Sequence, residues 1–332
     1  MKQFAIKFAL FLALIVGGQS LLLWRGCEEP YPRIVAGFDK QLNKGIQIVG
    51  FGDSVIRTCA PADTNRAPIG QLLAEELPRR WAGFISNGGY NSEVYLNYCR
   101  FLVRQRHRPR VVIIEMNPAA FSDTPYPFRL FIEEAAALFR KDRFLLNAFY
   151  KPLCVFHFTF LQPSITPERF WDSTIYDRDR PVGKVRDFDV NSPVFQALPP
   201  DERLRHGIIN SYMYPMTARG RRVVNLQKIA DLLRRKHIRT VFYITPVDWQ
   251  KCEQIMPDGF AQELDRKVGV LKAALAARQE PVLDLSRALT ADFFTPDFYL
   301  NEHLNERGRQ FVADQLAVCV KERLQAARDE AK

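Results

Sequence analysis

Five short apolar runs alternate with amphipathic stretches of helical period, and that alternation constrains the fold more than any other feature of the chain. The runs are IQIVGF (46–51), AGFIS (82–86), RVVIIEM (110–116), TVFYIT (240–245) and PVLDLS (281–286). They are nearly continuous rather than alternating in polarity, as strands buried on both faces of a parallel sheet are. Between and after them lie IGQLLAEELPRR, SEVYLNYCRFLVRQ, VVNLQKIADLLRRK, FAQELDRKVGVLKAALAAR and GRQFVADQLAVCVKERLQAA, with apolar residues recurring at helical spacing.

Strand and helix in this rhythm predict a doubly wound (flavodoxin-like) parallel sheet of about five strands in a three-layer α/β/α arrangement. A chain of 332 residues that is 47% hydrophobic can fill such a core. The rhythm breaks once, where about a hundred residues separate the third strand from the helix before the fourth, far beyond an ordinary connection. Residues 119–220 therefore read as an insertion. Ligands of open α/β sheets bind beyond the carboxyl ends of the strands, so an insertion there is placed to roof the site.

At the N-terminus, Lys2 and Lys7 precede an uncharged run from Phe8 to Trp24. The length is marginal for a membrane span, and lysines before it leave the N-terminus in the cytoplasm by the positive-inside rule. No small-x-small cleavage site follows, and Trp24 and Arg25 make a poor lipoprotein box before Cys27. The reading is an uncleaved signal anchor over 1–26, a linker over 27–45, an α/β domain over 46–325 on the extracytoplasmic, periplasmic side, and a tail over 326–332. A buried first helix is the alternative.

Lys and Arg outnumber Asp and Glu by 47 to 37, a net charge of +10. The bases are scattered through RQRHRPR, RKDR, DRDRP, RGRR and LRRKH, with acids between many of them. There is no zinc-ligand spacing, RNA-binding signature or recognition-helix pattern, which argues against nucleic acid. A solvated basic surface facing anionic lipid or envelope polymer fits better. The six cysteines show no CxxC and no framework spacing, so they announce neither a metal site nor a disulfide scaffold, and Cys99 and Cys319 are expected on buried helix faces.

Gly52-Asp53-Ser54 closes the first strand and opens a helical stretch. A serine there is exposed at the top of the sheet, as in a nucleophile elbow, though the Gly-x-Ser-x-Gly form is absent. Its hydroxyl needs a base. His107 and His237 each end a basic helix before a strand, His157 lies among phenylalanines, and His206 lies in the insertion, a possible substrate contact. His303, in YLNEHLNERG, falls between the last strand and the last helix, on the same carboxyl-end side as Ser54.

With both ends converging, the chain resembles the SGNH (GDSL-like) hydrolases in four ordered blocks. Gly52-Asp53-Ser54 resembles the nucleophile block, Asn87-Gly88-Gly89 the Asn-x-Gly block, Asn117 the third-block asparagine, and His303-Leu304-Asn305-x-x-Gly308 the histidine block. The resemblance implies Ser54 as nucleophile, His303 as base, and the Ser54 amide, the Gly89 amide and the Asn117 side chain as oxyanion donors. It requires no cofactor and no metal. The family's acid three residues before the histidine is here Leu300. Asp297 is the preferred replacement, Glu302 the neighbour, and a Ser-His dyad or an inactive site are the remaining options.

The anchor, the insertion and VFYITPVDW resemble the membrane-anchored, envelope-modifying branch of that family. The resemblance implies a serine-dependent O-acyltransferase or esterase, acetyl the expected group, acting on a cell-envelope or exported polysaccharide beside a membrane-bound O-acyltransferase partner. Plain carboxylester hydrolysis and a catalytically inactive glycan-binding or assembly role are the alternatives.

Overall fold

The computed structural model describes residues 2–24, 33–60, 62–77, 82–121, 134–135, 137–139, 197–214, 216–257, 259–295 and 302–329. Strands β1 (Ile48–Gly52), β2 (Ala82–Ser86), β3 (Val111–Met116), β4 (Arg239–Ile244) and β5 (Val282–Asp284) form one sheet in the order β2-β1-β3-β4-β5. All four pairings are parallel. The chain builds β2 on one side of β1 and then β3 on the other, so the crevice of this doubly wound order opens between the carboxyl ends of β1 and β3.

The helices are α1 (Lys2–Trp24), α2 (Arg33–Asn43), α3 (Ser54–Arg57), α4 (Ile69–Glu76) and α5 (Ser92–Leu102), then α6 (Pro200–Tyr212), α7 (Arg221–Arg234), α8 (Trp249–Ile255), α9 (Phe260–Ala276) and α10 (Glu306–Asp329). On one face of the sheet, Ile48, Val111, Ile113 and Val241 pack with Leu72 and Leu73 of α4 and with Val312, Leu316 and Val320 of α10. The alternate residues face α5, α7 and α9, where Phe51 stacks on Tyr95 with ring centroids 6.1 Å apart and meets Tyr98 at a tilt with centroids 5.7 Å apart. Each such aliphatic or aromatic side chain contributes about 1.5–3 kcal/mol on burial, which is why strands without a polar face are stable only between two helix layers.

The chain divides into two compact units, residues 1–40 with 127–164, and residues 41–126 with 165–332. The sheet lies wholly in the second. Most of the expected roof, 122–133 and 140–196, lies outside the described residues. Within 27–45, read as linker, α2 is a helix whose Val35, Phe38 and Leu42 are buried.

α1 leaves Phe4, Ile6, Phe8, Leu10, Phe11 and Leu14 exposed. Among the described residues no helix is long and apolar enough to cross a membrane. The side chains of residues 16 and 19–24 of α1 are not among those described.

Candidate active site

β1 delivers the chain to Gly52 at the carboxyl edge, and Ser54 follows as the first residue of α3. Asp53 caps that helix, its Oδ1 accepting the Val55 N–H at 2.8 Å. The Asp53 N–H donates to Oε2 of Glu115, which projects from β3. A Cβ on residue 52 would overlap both the Ile56 side chain and the Glu115 carboxyl group. Any larger residue there would have to displace both side chains, and the turn that presents a half-buried Ser54 is packed from beneath.

His303 arrives from the far end of the chain. Phe294 and Leu304 form an antiparallel bridge, and the Thr295 N–H and hydroxyl donate to the His303 carbonyl at 2.9 and 3.1 Å. One turn into α10, the fully buried Arg309 donates to the Leu304 carbonyl at 3.1 Å, to the Ala67 and Asn65 carbonyls at 3.1 and 2.5 Å, and to Asp63 at 2.6 Å. The segment after Ser54 is thus fastened to the segment after His303. His303 Nε2 comes to rest 3.2 Å from Ser54 Oγ. For the hydroxyl to donate in that contact, the ring proton must be on Nδ1, leaving Nε2 as the base.

Asn117 ends β3 with its side chain held at both ends. Its Oδ1 accepts the Ala119 N–H at 3.0 Å, which fixes the amide orientation, and its Nδ2 donates to Asp53 Oδ2 at 2.9 Å. The same amide reaches the carboxyl group of Glu302, whose Oε2 also accepts from the Tyr212 hydroxyl of α6 at 3.1 Å. Asp53 and Glu302 are thus two buried acids on one amide, with the buried Glu115 beneath them within their electrostatic reach. Burial, then the field of Asp53, pushes Glu302 up to about 8, while burial pushes Asp53 up to about 6 against its two hydrogen bonds. Burial, with Asp53 adding to it, drives Glu115 far above the usual carboxylate range. Asp53, which accepts two N–H donors, is the member best suited to carry the charge, and Glu115 and Glu302 the protons.

The Asn87-Gly88-Gly89 turn follows β2, whose Ser86 is in register with Gly52. Gly89 has φ +76°, a left-handed conformation that a glycine takes without strain. The Gly88 N–H donates to its neighbour's Oδ1 at 2.9 Å and the Tyr90 N–H to the Asn87 carbonyl at 3.2 Å. The N–H groups of Ser54 and Gly89 have no hydrogen-bond acceptor among the described residues.

The structure thus brings Ser54, His303 and Asn117 to one edge, with the Gly89 turn beside them on the adjoining strand. Asp297 and Leu300 lie outside the described residues, as does His157. Glu302 points to Tyr212 and Asn117. His206 is on α6, half-buried with its pKa lowered by that burial, while His107 and His237 are exposed at the opposite, amino edge. Cys99 is buried and Cys319 half-buried. Among the described residues no group of His, Cys, Asp and Glu could hold a metal ion.

Sequence reasoning passed over Glu115, Arg309 and Tyr212. Glu115 carried a signal, as an acid inside a strand otherwise apolar from Val111 to Met116. The chain matches no family model and no curated protein.

Proposed function

We propose that the protein is a serine-dependent O-acyltransferase or esterase that works outside the cytoplasm on a cell-envelope or exported polysaccharide. The observation that carries the reading is the 3.2 Å approach of His303 Nε2 to Ser54 Oγ at the switch point of a doubly wound sheet. The six exposed apolar side chains of α1 support the membrane-anchored form.

Ser54 Oγ attacks the acyl carbonyl carbon as His303 Nε2 takes its proton. The oxyanion that forms is met by the N–H groups of Ser54 and Gly89, and the Asn117 amide, engaged by Asp53, Ala119 and Glu302, supports the turn beside them. Collapse breaks the bond to the donor alcohol, which leaves with the proton from His303, and the acyl group stays on Ser54. An acceptor hydroxyl, of sugar or water, then loses its proton to His303 and attacks the acyl-serine. Its proton returns to Ser54, restoring the enzyme. Asp53 and Glu115 hold the nucleophile turn rather than exchanging protons with substrate.

A fluorophosphonate probe tests the reading. The wild type is expected to be labelled on Ser54, and Ser54→Ala to lose both the label and glycan acylation in cells. Glycan acylation that persists undiminished in the Ser54→Ala strain overturns it. With an acetyl-ester donor and a glycan acceptor, an acylated glycan is the expected product, and free acetate alone at every acceptor concentration reduces the reading to an esterase.

A further inference from the structure

In an all-parallel sheet the exits from the strands share one edge and the entries share the other. Ser54 and His303 occupy the exit edge. At the entry edge, the return from α5 to β3 carries Arg104, Arg106, Arg108 and Arg110, all exposed. The return from α7 to β4 carries Arg234, Arg235 and Lys236, also exposed. These two returns are neighbours, since the Arg239 N–H donates to the Arg110 carbonyl at 3.0 Å. The Arg110 N–H in turn donates to the Gln47 carbonyl at 2.8 Å, beside the exposed Lys44 that leads into β1.

Arg278, before β5, reaches Asp231 at 3.2 Å, and Arg323 of α10 acts on Glu280 together with Arg234 and Arg239. Asp231, Glu280 and Glu322 are interleaved among these bases, and Glu75 and Glu76 end α4 towards β2. Two of the basic runs, RQRHRPR and LRRKH, are therefore neighbours on one face. The negative ends of α5, α7 and α9 also point to it, but each amounts to about half a charge, which a single base would balance.

We propose that this entry edge is a docking surface for a bilayer carrying anionic lipid headgroups, and that it keeps the Ser54–His303 edge turned away from the membrane. The chain enters the sheet here from its N-terminal segment, where α1 leaves six large apolar side chains exposed. A charged lipid surface asks only for clustered bases. Single-stranded nucleic acid is held largely by stacking, and neither RQRHRPR nor RRKHIR contains a Phe, Tyr or Trp. The inference does not depend on Ser54 being reactive.

The test is lysine footprinting of the full chain in nanodiscs of phosphatidylcholine, with and without phosphatidylglycerol, by amine acylation and mass spectrometry. Lys44 and Lys236 are expected to react about fivefold more slowly in the anionic discs, and salt near about 1 M is expected to remove the difference. Lys251, on α8 at the exit edge, is expected to react alike in both. The triple variant R106E/R108E/R235E, checked for an unchanged circular dichroism spectrum, is expected to react at Lys236 equally in both discs. Equal reactivity of wild-type Lys44 and Lys236 in the two discs overturns the proposal. So does slowing at Lys251 to the same extent, or protection that arises only when RNA is added to zwitterionic discs.

Discussion

Glu115 and Glu302 behave as acids that the fold prefers protonated, and this gives stability a pH dependence of definite sign. A carboxyl group whose folded pKa lies above its unfolded one contributes fully below the unfolded value, and the contribution is lost as pH rises through the folded value. For Glu302 that window runs from about 4.5 to about 8. Asp63 has the opposite sign. Burial alone would raise it, but hydrogen bonds from Arg309 and Ala60 bring it below 3.8, so its contribution is present above that value and lost on acidification. Glu302→Gln keeps an acceptor for the Tyr212 hydroxyl but cannot ionise. Between pH 5 and pH 9 the wild type is expected to lose roughly 1–3 kcal/mol more stability than this variant, read from denaturant midpoints. Equal losses in the two proteins would refute the assignment of a protonated Glu302.

At the scale of elements, α10 supplies packing to the sheet and, through Arg309, the fastening between the two segments of the site. Arg309→Ala would leave Asp63 buried without its cation and three carbonyls without their donor. The expected loss is about 3–5 kcal/mol of unfolding free energy. Fluorophosphonate labelling of Ser54 should fall even where circular dichroism shows the fold intact, and full labelling would show that the fastening does not position His303. The strands were legible to within two residues because a buried parallel strand is a short continuous apolar run, and VVIIEM is rich in β-branched residues and too short for a buried helix. The helix over 33–43 was missed and read as linker, because the acids and bases around Val35, Phe38 and Leu42 masked its apolar stripe. Nothing in one sequence, however, couples Arg309 to Ala67, or Glu302 to Asn117. Those contacts exist only after the sheet order has brought distant loops together. Ser54 and His303 were paired from the sequence because the chemistry expected of them needs a partner, which is a constraint that a fastening residue lacks.

On the scale of the whole molecule, two compact units share one chain, and the first carries the exposed apolar face of α1. That face predicts attachment that does not rest on charge. After a wash in high salt and then alkaline carbonate, the full chain is expected to stay in the membrane pellet, and release by salt alone would show that α1 contributes no anchoring. The dyad has a further consequence for how the protein comes into being. Ser54 and His303 are 249 residues apart, and His303 is followed immediately by the last helix. A chain that emerges N-terminus first can form α3 and its serine turn early, yet it has no base until its last tenth or so has folded back. As the nucleophile we propose, the serine is therefore chemically idle during synthesis. Competence arrives in one late step, when α10 docks and the long loop between the two ends is closed.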